Sequence, residues 1–290
     1  MALTLKEILS DGPVLLDGGW GTQLQERGLP IGANADIWNL TEPDKVESVA
    51  RAYVEAGSGI ILTNTFQASP FALERHGYSD KTAEINRSGA AISKKAAGDR
   101  ARVFASVGPS GKMLAMGEIS AEELEEGFAL QIGALVEGGA DGIVIETMSD
   151  PEETAIAVKA AKRFAVPVVA CLCFDSGKGL DRTMMGTTPE LGVEILEAVG
   201  ADAVGANCGQ GIESYVAICQ RLSAASSLPV WIKANAGLPE LIDGRAVYTT
   251  TAEQFAGHLP ALIEAGASFV GGCCGTTPEF IRAAREVLEK

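Results

Sequence analysis

Three cysteines carry the clearest chemical signal in this sequence. Cys208 closes the run GANC, and Cys273 and Cys274 stand side by side in GGCCGTTP. Three thiolates form a soft donor set that suits zinc, and a four-coordinate ion with three protein ligands keeps one position open for a reactant. Structural zinc sites are usually closed by four ligands, often as C-x-x-C pairs. No such pair occurs here, and the one C-x-C is CLC, Cys171 and Cys173, inside an apolar run. A divalent ion with three thiolates carries a net charge of about −1, which makes it a poor generator of hydroxide. A thiol joining that centre would still lose its proton and stay nucleophilic at neutral pH. The pattern points to activation of an external thiol, with alkyl transfer to sulfur as the reaction, rather than to hydrolysis.

Adjacent cysteines on an extended strand face opposite ways, so two ligands for one ion need an unusual backbone. Gly271, Gly272 and Gly275 are expected to supply it. A strained vicinal disulfide is the competing use of such a pair. Cys171, Cys173 and Cys219 read as small core residues. Thr277 and Pro278 read as the N-cap and first position of a helix just past the pair. The two histidines, His76 and His258, leave little room for a histidine metal site or a Ser-His-Asp triad.

Residues so far apart must be brought together by repeated elements. Eight short apolar runs begin at Val14, Ile60, Val103, Gly142, Val168, Ala203, Val230 and Phe269. Between them lie helical patterns such as DKVESVARAYVEAG, SAEELEEGFALQIGALVEGG and TAEQFAGHLPALIEAG, with apolar residues at three- and four-residue spacing. Several end at glycine, as at Gly57, Gly139 and Gly266, which suits a left-handed cap. Eight such units predict a (β/α)8 TIM barrel in a single domain over residues 1–290. A doubly wound sheet is the rival, but DGGWGTQ lacks the spacing of a dinucleotide loop. Barrel chemistry sits where strands end. Asp17, Thr63 to Thr65, Ser110, Glu146, Thr147, Asp175, Asn207 with Cys208, Asn235, and Cys273 with Cys274 fall there. On position alone, Asp17 and Glu146 serve equally well as helix caps.

With 290 residues, 47% of them hydrophobic, the chain can bury a sizeable core. A formal net charge of −15 argues against nucleic acid as a partner. No apolar run approaches the length of a membrane span, and MALTLKEILSDG has no secretory h-region, so a cytoplasmic location is expected.

Along essentially its whole length the sequence resembles the homocysteine S-methyltransferase family. GANCGQG followed far downstream by GGCCGTTP carries the likeness, together with LLDGGWGTQLQERG and TNTFQAS. KANAGLPELIDGRAVY is similar to a segment of the homocysteine-binding module of cobalamin-dependent methionine synthase. The resemblance implies zinc held by Cys208, Cys273 and Cys274, with homocysteine as methyl acceptor and methionine as product. It also implies that Asp17 and Glu146 bind the amino group of homocysteine, and that its carboxylate lies near the amides of Gly18 and Thr65. Asn235 matches an asparagine that fills zinc's fourth position until substrate displaces it. Where the betaine-using branch has a tyrosine, this chain has Thr147, and Ala234 stands where a proline is common. No D-x-H-x-x-G corrinoid signature is present. The expected donor is therefore a methylcorrinoid on a separate protein, with S-methylmethionine, betaine or another small donor as the alternative. Methylation of a different thiol, or a non-catalytic thiol- or zinc-binding subunit, are the remaining readings.

Overall fold

Each of those apolar runs forms a strand, most of them buried on both faces as in a parallel barrel. The computed structural model describes residues 4–242 and 245–289. Its strands are β1 (Val14–Leu15), β2 (Ile60–Ile61), β3 (Arg102–Val107), β4 (Gly142–Met148), β5 (Val168–Leu172), β6 (Ala203–Gly211) and β7 (Val230–Asn235), then a short pair, β8 (Glu240–Ile242) and β9 (Arg245–Val247), and last β10 (Ala267–Gly272). Eight of them form one parallel sheet in the order β1-β10-β7-β6-β5-β4-β3-β2. A parallel bridge between Leu16 and Ile60 joins β1 to β2, so the sheet curls into the expected (β/α)8 barrel. β8 and β9 form an antiparallel hairpin in the segment after β7, an element that the apolar pattern does not announce.

Each strand has two faces, and they pack differently. Outward residues such as Ile61, Val103, Ile143, Ile145, Val204 and Ile232 join the helices in the larger core. Inward residues Leu16, Ile60, Phe104, Val144, Val169, Trp231 and Phe269 fill the barrel itself. There Trp231 lies between Phe104 and Phe269, with ring centroids 5.8 and 5.0 Å away. The short helix Leu5–Ile8, held by a capping box between Thr4 and Glu7, comes just before β1 and adds Leu5 to the same cluster, closing the barrel at its base.

The helices form where their patterns predict. Pro43–Ala56 ends at Gly57, whose φ of 102° is the left-handed cap that glycine adopts without strain. Ala121–Glu137 starts from a capping box in which Ser120 and Glu123 hold each other's backbone N–H. The segment after Thr251 differs from the single helix expected. It divides into Ala252–Gly257 and Leu259–Glu264 at His258. Pro260 has no N–H to give and its ring crowds the preceding turn, which is enough to break the run.

Candidate metal and substrate site

The site is assembled at the strand ends by local breaks in regular pairing. In β6, Asn207 faces Lys233 and Gly211 faces Asn235, so four steps along β6 match two along β7. Cys208 (φ 62°) and Gly209 (φ 65°) take up the excess in the left-handed region. A non-glycine residue there is uncommon and is held by its surroundings. Tyr215, from the helix Ile212–Ala225, donates its hydroxyl to the Cys208 carbonyl and fixes the bulge. A second bulge interrupts β4 against β5, with Thr147 at φ 59°. Asn207 ties the two together. Its Oδ1 accepts the Thr147 N–H at 2.7 Å, and its Nδ2 donates to Thr147 Oγ1 at 2.7 Å and Glu146 Oε2 at 3.2 Å.

Cys273 and Cys274 lie just beyond β10. The Cys273 N–H donates to the Ala234 carbonyl at 2.7 Å, and the Ala236 N–H to the Cys274 carbonyl at 2.9 Å. Thr277 caps the following helix, with Pro278 in its first turn. The glycines act differently from the expectation. Gly271 and Gly272 are regular strand residues, paired with Lys233 and Ala234. They are glycine for room: a Cβ on Gly272 would lie 2.2 Å from Thr276 Oγ1, and one on Gly271 would lie 2.5 Å from Leu16 Cβ. Only Gly275 of the three has positive φ, and Tyr248 stacks against it.

These elements bring the sulfurs of Cys208, Cys273 and Cys274 within 4.8 Å of one another, with Cys208 and Cys274 at 3.9 Å. Zinc–sulfur bonds of about 2.3 Å in a tetrahedron place sulfurs roughly 3.8 Å apart, so this donor set fits the ion. Thiol hydrogen bonds from Cys273 and Cys274 pull the Cys208 thiol well below its ordinary value. Hydrogen bonding to Cys208, with burial, pushes Cys273 well above it. Negative charge on one sulfur thus disfavours it on its neighbours, a cost that a bound cation would relieve. The Asn235 Oδ1 accepts the Cys274 N–H at 3.1 Å beside the cluster. Cys171, Cys173 and Cys219 are buried, as core residues should be.

A cavity of about 320 Å³ opens over the cluster. Gly18, Glu146, Cys208, Cys273 and Cys274 line it. Ser106 donates its hydroxyl to Glu146 Oε1, and burial raises the Glu146 carboxyl above the usual range against the pull of Lys233. Asp17 and Thr65 are fully buried and stand outside the lining. Thr65 gives its hydroxyl to the Ser106 carbonyl at 2.7 Å. Asp17 Oδ2 accepts Trp20 Nε1–H and the Leu62 N–H, both at 2.7 Å, and Oδ1 pairs with Lys233.

Sequence reasoning passed over Lys233, Asp36 and Tyr248. Lys233 is 1% exposed and lines the cavity. Burial disfavours its charge, but Asp17 and Glu146 outweigh that and raise its pKa. A lysine inside VWIKAN was the available signal, since the alternation that points Trp231 inward points Lys233 and Asn235 inward too. Asp36 also lines the cavity, and burial pushes its carboxyl up to about 7 although it accepts the Gln67 N–H at 2.6 Å.

Fold and site together define a parallel (β/α)8 barrel with a three-cysteine cluster and buried acids at its C-terminal mouth. The pattern of homocysteine S-methyltransferases matches residues 14–288, and the chain belongs to that family. It is 32% identical over 298 residues to methionine synthase of Mycobacterium tuberculosis, covering 96% of this chain and 25% of that protein. Its likeness to the methionine synthase of Mycobacterium leprae is 30% over 298 residues, covering 96% and 24%. The chain thus spans about a quarter of the length of these curated relatives. The metallated form of the homocysteine methyltransferase MmuM from Escherichia coli shares the fold, with a TM-score of 0.82 at 24% identity over 97% of this chain and 99% of that one.

Proposed function

We propose that this chain transfers a methyl group to the thiol of homocysteine, giving methionine, with zinc held by Cys208, Cys273 and Cys274. The observation that carries this reading is the convergence of three sulfurs from β6 and the β10 turn at the floor of a cavity that also presents Glu146. When bound, zinc keeps a substrate thiol deprotonated at neutral pH while the three cysteines keep it electron-rich. The protein's own groups do the rest. Glu146, fixed by Ser106 and Asn207, offers a carboxylate to the substrate ammonium. Gly18 lines the same cavity, so its backbone borders the space for the amino-acid end, while the absence of a side chain there makes room for Tyr53 and Thr276 behind it. Asn235, whose Oδ1 accepts the Cys274 N–H beside the cluster, would help hold the ion until a substrate thiol arrives. The cavity aligns sulfur for an in-line attack on the methyl carbon; the new S–C bond takes the sulfur lone pair as the donor leaves with the electrons of the old bond. No general base is needed once the thiol is deprotonated.

For the donor, a methylcorrinoid on a separate protein domain fits best. Among the described residues, the exposed large apolar side chains Met113, Met116, Leu180, Met184, Met185, Leu238 and Val247 fall between a barrel strand and the next α-helix, at the mouth end of the barrel, and Ile31 lies in the loop beyond the helix that follows β1. Such a rim suits a macromolecular donor better than a small one. The mycobacterial relatives, in which the matched region is about a quarter of the protein, support the same reading. The test is methionine formation by zinc-loaded protein and homocysteine with a methylcobalamin protein, free methylcobalamin, S-methylmethionine, betaine or S-adenosylmethionine in turn. Turnover with the corrinoid protein far above the small donors is expected, and a preference for a small donor overturns the donor assignment.

A further inference from the structure

We infer that Lys233 is the residue that recognises the carboxylate of the acceptor, with Asp17 as its counter-ion rather than a direct ligand of the substrate. The inference rests on the reading of an amino-acid thiol as acceptor and deepens it. Among the described residues, Lys233 is the one cationic side chain that lines the cavity, and its partner Asp17 is fully buried. Both carboxylate oxygens of Asp17 are engaged, one by Lys233 and the other by Trp20 and the Leu62 amide. An incoming ammonium would have to displace Lys233 to reach Asp17, and would meet a like charge in doing so. Glu146 is the more accessible acid, since its hydrogen-bond partners Ser106 and Asn207 are neutral donors and it faces the cavity.

The charges then alternate across the cavity. Asp17 is negative, Lys233 positive, and Glu146 negative, and a zwitterion fits with its carboxylate toward Lys233 and its ammonium toward Glu146. The Thr65 hydroxyl is committed to the Ser106 carbonyl and Thr65 stands outside the lining, so a side-chain contact to the carboxylate falls to Lys233, beside the backbone of Gly18. Lysine is suited to the role: three donors allow it to keep Asp17 while turning a proton toward a second carboxylate. The pocket thereby selects an α-amino acid with a thiol two carbons away over a simple thiol.

Calorimetric binding to zinc-loaded protein tests this with three thiols: homocysteine, 3-mercaptopropylamine, which lacks the carboxylate, and 4-mercaptobutanoate, which lacks the ammonium. Lys233→Met is expected to weaken homocysteine and 4-mercaptobutanoate by roughly 10- to 100-fold, the size of a lost charged hydrogen bond, and to leave 3-mercaptopropylamine unchanged. Glu146→Gln is expected to give the reverse split. Because Lys233→Met strands a buried carboxylate, the paired variant Asp17→Asn with Lys233→Met repeats the test with both charges removed. Equal weakening of all three thiols at full zinc content would make Lys233 a purely structural residue and overturn the inference. So would wild-type protein that binds homocysteine no better than 3-mercaptopropylamine, a result that leaves thiol methylation standing. Wild-type zinc protein that binds none of the three thiols would remove the acceptor reading itself.

Discussion

The lower and upper halves of the barrel interior are built on the same strands and the same alternation, yet they do opposite things. Below, Phe104, Val144, Trp231 and Phe269 form an apolar plug that needs nothing but close packing. Two residues further along, the same faces of β3, β4 and β7 carry Ser106, Glu146 and Lys233, each held by a named polar partner. The lower half supplies stability; the upper half spends some of it on buried charge. The strand bulges fall in the upper half, at Thr147 and Cys208, where side chains have to be aimed.

Variants that act on only one half test this division. The largest effect is expected from Cys208→Ala or Cys273→Ala, which should bring zinc to background by elemental analysis and lower turnover by roughly a thousandfold or more, with the urea midpoint of the metal-free protein little changed. Trp231→Ala should do the converse, costing about 3–5 kcal/mol in urea unfolding while the folded protein retains stoichiometric zinc. Trp231→Phe should cost much less, because the indole N–H finds no hydrogen-bond partner among the described residues. Asp36 belongs to the upper half and gives it a pH signature. Its folded pKa of about 7 lies above the ordinary 3.8, so between those values the folded state binds more protons than the unfolded one. Its contribution is most favourable below about pH 4 and is lost as pH rises toward about 7, by up to about 4 kcal/mol. Asp36→Asn should flatten that part of the stability profile and raise the urea midpoint at pH 8 relative to wild type. The smallest stability effect is expected at the rim, where Met116→Lys with Met184→Lys should change unfolding by about 0.5 kcal/mol or less. The same pair should lower kcat/KM with a corrinoid protein but not with free methylcobalamin.

What could be read from the sequence was what leaves a pattern. Apolar runs such as GIVIETM, which is β4 from end to end, gave the strands, and three- and four-residue spacing gave the helices. Cys208, Cys273 and Cys274 were legible because soft ligands at strand ends have few other uses, and their sulfurs do converge. The bulges were not, since positive φ at Thr147 and Cys208 comes from tertiary contacts with Asn207 and Tyr215 and has no signature in residue type. The ion pair of Asp17 with Lys233 was half visible. A lysine in an apolar strand is a flag, but its partner lies 216 residues away and is assigned only by closure of the barrel. Pro260 was visible too, and its cost to a long helix was underweighted.

Leu5, which joins Trp231 in the apolar cluster inside the barrel, has a consequence for the order of events. A vessel corked at its base fills and empties through its neck. If the methyl carrier is as broad as the neck, the thiol must board first, the carrier dock second, and the finished product wait until the carrier lifts away. Departure of the spent carrier, and not bond making, then becomes a natural place for the slowest step.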